Sequence, residues 1–264
     1  MSAQEPEEGT RLTAKEIHEN IRRPGEHEMR RPAAALLWSA LASGLVIGFS
    51  PLAAAYAAHT APPEYAHAAA AAAYPLGFIF VIIARSELFT ENTVVPVIPF
   101  LERRDRVTFV LLVRMWVLLL AGNLVGALIF GVAVAHTPVL APEVESELLR
   151  ISREATAGSV GRVVYAGVFA GWLIALLAWL LASTHSTLAQ ITLIWLCTAP
   201  IAALRFGHSI AGAVEAFYRA SLGDASWSRM LGGFVGPAVL GNAIGGVLLV
   251  ALLNHGQVAA DRDA

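Results

Sequence analysis

Two long apolar stretches of this chain, residues 65–101 and 187–218, are each broken by a short polar run, RSELFTENT at 85–93 and RFGHS at 205–209. A helix crossing a bilayer core takes about 20 apolar residues. Charge-poor stretches long enough for this occur six times, at 32–59, 65–101, 107–135, 163–183, 187–218 and 230–254. With 56% hydrophobic and only 14% charged residues, the composition suits lipid better than water. Backbone released from a helix at membrane depth is tolerated only where protein buries it or a watery cavity receives it. Both breaks should therefore point inward, which predicts an all-α membrane protein with a route through its interior.

The halves of the chain match. GNLVGALIF (122–130) in the third stretch pairs with GNAIGGVLL (241–249) in the sixth, so Asn123 and Asn242 mark a repeat motif 119 residues apart. Counted at Thr90 and His208, the two breaks are 118 residues apart. Small-xxx-small glycines alone could reflect close helix packing, but packing does not explain the shared register. Three crossings per half require the second half to run upside down, giving two inverted three-helix repeats with helices 2 and 5 broken. Half-helices starting near the midplane would aim their positive ends at the centre, which favours anions. The competing reading makes 65–84 a complete helix, with Arg85 at the interface and 88–101 lying shallow.

Orientation follows from the basic residues near segment ends. Arg22, Arg23, Arg30 and Arg31 precede the first stretch and Arg103, Arg104 and Arg106 follow the second, whereas the loop between these two stretches has neither Lys nor Arg. Both termini are therefore expected to be cytoplasmic, in a multi-pass protein of the cell (inner) membrane. Arg150 and Arg153, in the expected loop 136–162, run against this, although four glutamates accompany them. The expected organisation is a cytoplasmic segment 1–31, a channel domain 32–254 and a cytoplasmic tail 255–264. MSAQEPEEGT lacks the basic start and apolar middle of a cleaved signal. TAKE (13–16) reads as a capping box opening a short helix with Leu12, Ile17 and Ile21 on one side, ending near Pro24-Gly25. That helix is either a solvated leader or a membrane-surface, pore-gating element.

A lone cysteine, Cys197, excludes an internal disulfide framework and a cysteine-cluster metal site. Neither HExxH nor an acidic pair with a second intramembrane histidine occurs, so the chain is expected not to be an enzyme, to need no cofactor or metal, and to bind no nucleic acid. His208 is the most chemically capable residue in either break, since an imidazole can change charge near neutral pH and ionisable groups within a span are functional candidates by default.

LFT (88–90), GNLVGAL (122–128), HSIA (208–211) and GNAIGG (241–246) together resemble the formate/nitrite transporter family, as a divergent branch, over residues 32–254. The resemblance implies an aquaporin-like protomer with its own pore, a homopentamer in the bilayer, and passive or proton-linked passage of a small monovalent weak-acid anion. It places His208 at the pore centre with Thr90 hydrogen-bonding near it, Leu88 with Phe78 at an inner dry constriction, and Tyr74 and Ile201 where the formate channels usually carry phenylalanine. A weak acid would cross such dry rings protonated, with His208 or its water as donor. Departures are Gly207, where the family often has glutamate, Gly171, where it has asparagine, and the added charges Arg85, Glu87 and Arg205. Arg85 would bridge to Glu87 or Glu91, or gather anions at a vestibule, and Arg114 would snorkel. Pro96 and Pro99 should shorten the second half of helix 2. The polar groups lost at Gly171 and Gly207 support an alternative, a channel for small neutral solutes.

Overall fold

A computed structural model describes residues 11–262; the first ten residues, including most of the acidic leader, lie outside the described range. Among the described residues all regular structure is helical. Helix α1 (Ala14–Glu28) begins with the expected capping box, in which Thr13 Oγ1 accepts from the Glu16 N–H at 3.3 Å and Glu16 Oε2 accepts from the Thr13 N–H at 2.7 Å. It does not stop at Pro24-Gly25. Pro24 removes only one backbone donor, and Gly25 serves close packing, because a Cβ there would lie 2.3 Å from the carbonyl oxygen of Val95. Just beyond the end of α1, Arg114 donates to the carbonyls of Met29 and Arg31 at 3.3 and 2.9 Å. Both acceptors lie at the basic flank just before the first apolar stretch.

Among the described residues, five stretches are long and apolar enough to cross a membrane: Ala33–Thr60, Ala66–Ile83, Arg106–His136, Val160–Leu181 and Trp227–Asp261, while Thr187–Ala203 is a shorter apolar helix. The first holds α2 (Ala33–Val46) and α3 (Phe49–Thr60), and the second α4 (Ala66–Ala73) and α5 (Pro75–Ile83). After the first break come α6 (Val97–Arg103) and the long α7 (Arg106–His136). Pro96 precedes α6 and Pro99 lies within it, consistent with its 7 residues. The expected loop 136–162 instead contains α8 (Pro142–Ala155), an amphipathic helix that buries Val144 and Leu148. Then follow α9 (Val160–Leu181), α10 (Thr187–Ala203), α11 (Ser209–Ser221) and α12 (Trp227–Met230). From α12 the chain stays helical through α13 (Gly236–Gly246) and α14 (Leu253–Arg262), with two π-helical stretches between them, so helix continues well past Asn254.

Packing repeats between the halves residue by residue. A Cβ on Gly44 of α2 would lie 2.2 Å from the backbone oxygen of Asn123 on α7, and one on Gly171 of α9 would lie 2.2 Å from that of Asn242 on α13. Gly126 meets the Leu41 oxygen as Gly245 meets the Val168 oxygen, at 2.5 and 2.1 Å. Helix pair α2/α7 and helix pair α9/α13 thus use the same close backbone contact, which only glycine permits. Gly171 is one of these contacts, so no larger side chain fits there. Large apolar side chains such as Trp38, Val117, Tyr165 and Leu188 remain exposed, which suits lipid or neighbouring subunits better than water.

Candidate transport pathway

Both breaks are built alike. Helix α5 ends with Arg85 in the left-handed region (φ 58), its N–H bonded to the Ile82 oxygen and that of Ser86 to the Val81 oxygen. Helix α10 ends with Arg205 (φ 54), its N–H bonded to the Ala202 oxygen and that of Phe206 to the Ile201 oxygen. Each pattern is a Schellman stop, which satisfies the last carbonyls of the helix.

The two motif asparagines then hold the released backbone. Asn123 Oδ1 accepts from the Phe89 N–H at 2.8 Å, and its Nδ2 donates to the oxygens of Ala40 and Glu87 at 2.8 and 2.9 Å. Asn242 Oδ1 accepts from the Ser209 N–H at 2.8 Å, and its Nδ2 donates to the oxygens of Gly167 and Gly207 at 2.9 and 2.8 Å. Phe89 and Ser209 are thus equivalent, as are Arg85 and Arg205, so the register within the breaks is 120 residues and Leu88 is the counterpart of His208. Thr90 and His208, paired above at 118, are not equivalents but contacts.

That contact joins the breaks: Thr90 Oγ1 lies 2.9 Å from His208 Nε2, and both residues are buried. His208 is the N-cap of α11, and its Nδ1 accepts from the N–H groups of Ile210 and Ala211 at 3.3 and 3.2 Å. With Nδ1 used as acceptor, the neutral ring carries its proton on Nε2 and donates it to Thr90. The Phe78 ring meets the imidazole edge-on, with centroids 4.9 Å apart.

Cavities lie on either side of this contact. One, of about 60 Å³, is lined by His208, Tyr74, Ile201, Glu215 and Phe234 and reaches Arg205 at the surface. The other, of about 490 Å³, is lined by Arg31, Arg85, Glu87, Glu91 and Asn92 and reaches α1 at Asn20. Phe78, Leu88 and Thr90 line neither cavity and are fully buried.

The charges pair differently from expectation. Glu87 is bound by Arg31 (2.7 Å) and by Asn92 Nδ2 (2.9 Å), not by Arg85. Arg31 also holds Glu28 at 2.6 Å, so the side chain of Arg31 links α1 to the first break. Arg85 reaches Glu91 only as a through-space charge, and Arg205 pairs with Glu154 of α8 at 2.9 Å. Glu215, seven residues after His208 and therefore on the same helix face, was not singled out in the sequence. It is buried against the smaller cavity, and among the described residues no hydrogen bond or ion pair reaches its carboxylate. Its position in the apolar run IAGAVEAF was the only signal available.

Residues 15–256 match the family described as formate/nitrite transporter. The chain belongs to the formate/nitrite transporter family. Membership makes it an integral membrane protein of a transporter family, in keeping with its membrane-length helices. Among relatives in this family, the inner membrane protein YfdC of Escherichia coli K12 is 35% identical over 246 residues, which cover 93% of this chain and 79% of YfdC. A probable formate transporter of Methanothermobacter thermautotrophicus is 29% identical, covering 69% of this chain and 72% of the relative. In structure, the chain is similar to an FNT family ion channel (TM-score 0.75, 22% identity, covering 94% of this chain and 98% of that one). It is also similar to a pentameric formate channel with formate bound (TM-score 0.69, 21% identity, covering 84% and 95%). These two likenesses establish a formate/nitrite transporter fold.

Proposed function

We propose that the chain is a channel or transporter for small monovalent weak-acid anions of the formate and nitrite class, working as a homopentamer in the inner membrane with both termini cytoplasmic and one pathway per protomer. The reading takes the halves as inverted three-helix repeats whose broken helices meet at the pore centre. The observation that carries it is the His208–Thr90 hydrogen bond, made where the two breaks touch and between two cavities. Formate channels among the relatives and structural neighbours support the substrate class and the pentamer.

In this mechanism, anions gather at the positive ends of the helices that follow each break and at Arg85 and Arg205. At the constriction the anion's oxygen replaces Thr90 as acceptor for the Nε2–H of His208, and the Thr90 hydroxyl donates a second hydrogen bond. Phe78 and Leu88 strip water, so the species passing them is favoured when neutral. With Nδ1 committed to backbone donors, His208 serves as a hydrogen-bond donor more readily than as a net source of protons. Glu215, a buried carboxylate on the smaller cavity and on the same helix face as His208, is the candidate for holding the proton that accompanies a weak acid.

Proteoliposomes test this. Expected are formate or nitrite fluxes well above protein-free vesicles, lost in His208→Ala and reduced in Thr90→Val, with little glycerol flux. Glycerol flux without anion flux would replace this reading with the neutral-solute channel, and anion flux unchanged in His208→Ala would remove the histidine from the mechanism.

A further inference from the structure

Three side chains from remote parts of the sequence, none of them lining either cavity, converge. His18 on α1, Glu102 at the end of α6 and His255 on α14 bring one ligand atom each to within 4.8 Å of one another. His18 Nε2 lies 3.2 Å from His255 Nδ1, and Glu102 Oε1 lies 3.8 Å from the first and 4.0 Å from the second. We propose that this cluster is a binding site for a divalent zinc-class ion that ties both ends of the chain to the segment after the first break.

The geometry carries the inference. A triangle with these three sides has a single in-plane point equidistant from its corners, at about 2.1 Å, which is the length of Zn–N and Zn–O bonds. A tetrahedral ion just out of that plane needs sides of about 3.3 Å, which the two imidazoles already meet at 3.2 Å and which the carboxylate, at 3.8 and 4.0 Å, reaches by moving in about 0.5–0.7 Å. Two imidazole nitrogens and one carboxylate oxygen, from three remote segments, thus stand close enough to one another to share one ion. His18 is fully buried, with Trp179 edge-on to its ring, and His255 is nearly so. Glu102 is partly exposed, which gives an ion a way in and leaves a corner for water. Two imidazoles and one carboxylate suit zinc and its first-row neighbours, not magnesium or calcium, which require mostly oxygen donors.

The ion would fasten α1, which contributes Asn20 and Ile21 to the wall of the larger cavity, to the C-terminal helix. His18 and His255 are 237 residues apart in the chain, so the ion would close a very long loop.

Full-length protein freed of any affinity tag, stripped with chelator in detergent and dialysed against Zn²⁺, tests the site. Expected is one zinc per protomer by elemental analysis, a rise in Tm on adding zinc, and visible d–d bands of tetrahedral cobalt when Co²⁺ is used instead. His255→Ala and Glu102→Gln should each weaken binding at least about tenfold and abolish the Tm rise, while eluting as the wild-type oligomer. Wild-type protein that takes up no zinc beyond the chelated control, or correctly assembled variants that bind zinc as tightly as wild type, would overturn the proposal.

Discussion

Replacing Asn242 with leucine keeps the number and branching of its side-chain heavy atoms and removes all of its side-chain hydrogen bonds. Three backbone groups then lose their partner: the N–H of Ser209 and the carbonyls of Gly167 and Gly207. Hydrogen bonds inside membrane proteins are worth on average about 0.6 kcal/mol and at most about 1.7, which sets a range of about 2–5 kcal/mol for the three. A polar group left orphaned in a dry interior costs about 1–3 kcal/mol, which favours the upper half of that range, since Asn242 is fully buried. For a protein of this size about 1 kcal/mol moves Tm by 2–4 °C, so Asn242→Leu should melt about 6–20 °C below wild type in detergent. Asn123 makes the same three bonds to Phe89, Ala40 and Glu87, so Asn123→Leu should lower Tm by a similar amount. Thermal melts followed by size-exclusion elution give both values. A loss under roughly 2 °C for either variant, or a loss for one several times that of the other, would refute the view that paired asparagines hold two equivalent breaks.

Gly171→Ala drives a Cβ to 2.2 Å from the Asn242 backbone oxygen and should cost about 1–3 kcal/mol or prevent assembly, whereas Gly207→Ala meets nothing nearer than 3.6 Å and should express and melt like wild type. Asp224, held by Arg153 and by Arg219 at 2.7 Å, has its carboxyl lowered to about 2. Its stabilisation is therefore fully present above about pH 4 and lost as pH falls toward 2, and Arg153 being exposed limits it to about 0.5–1 kcal/mol. Asp224→Asn should melt about 1–4 °C below wild type at pH 7, the gap closing below pH 4. Arg31→Ala severs the link from α1 to Glu87, so an anion-flux assay should show an altered rate with His208-dependent selectivity retained.

The fold was legible where chemistry had to repeat. Broken helices in lipid need polar anchors, and Asn123 and Asn242 stand in matching glycine contexts because each must reach three backbone groups at once. The inward aim of the breaks was legible too, since polar runs cannot face hydrocarbon. Pairing at long range was not: Glu87 could be matched to Arg85 by proximity in sequence, but the left-handed turn at Arg85 separates them, and Arg31, from 56 residues away, takes the carboxylate. Helix α8 was hidden in an expected loop, although Val144 and Leu148 carry a helical period. Glu215 escaped because one acid in an apolar run says nothing about which face it occupies until the His208 cavity is known. The His18–Glu102–His255 cluster joins three segments whose meeting only the tertiary fold decides.

The chain also stops a helix with a Schellman turn at Gly223, whose φ of 73 costs a glycine nothing. At Arg85 and Arg205 the same turn is made by a long cationic residue, at about 1–2 kcal/mol each. Glycine at both sites would relieve that strain, less the roughly 0.5–1 kcal/mol by which glycine's greater freedom favours the unfolded chain. A sturdier protein is therefore two substitutions away, and it would have lost the cation that begins each break; heat tolerance and the positive charge lining the two cavities rest on the same pair of residues.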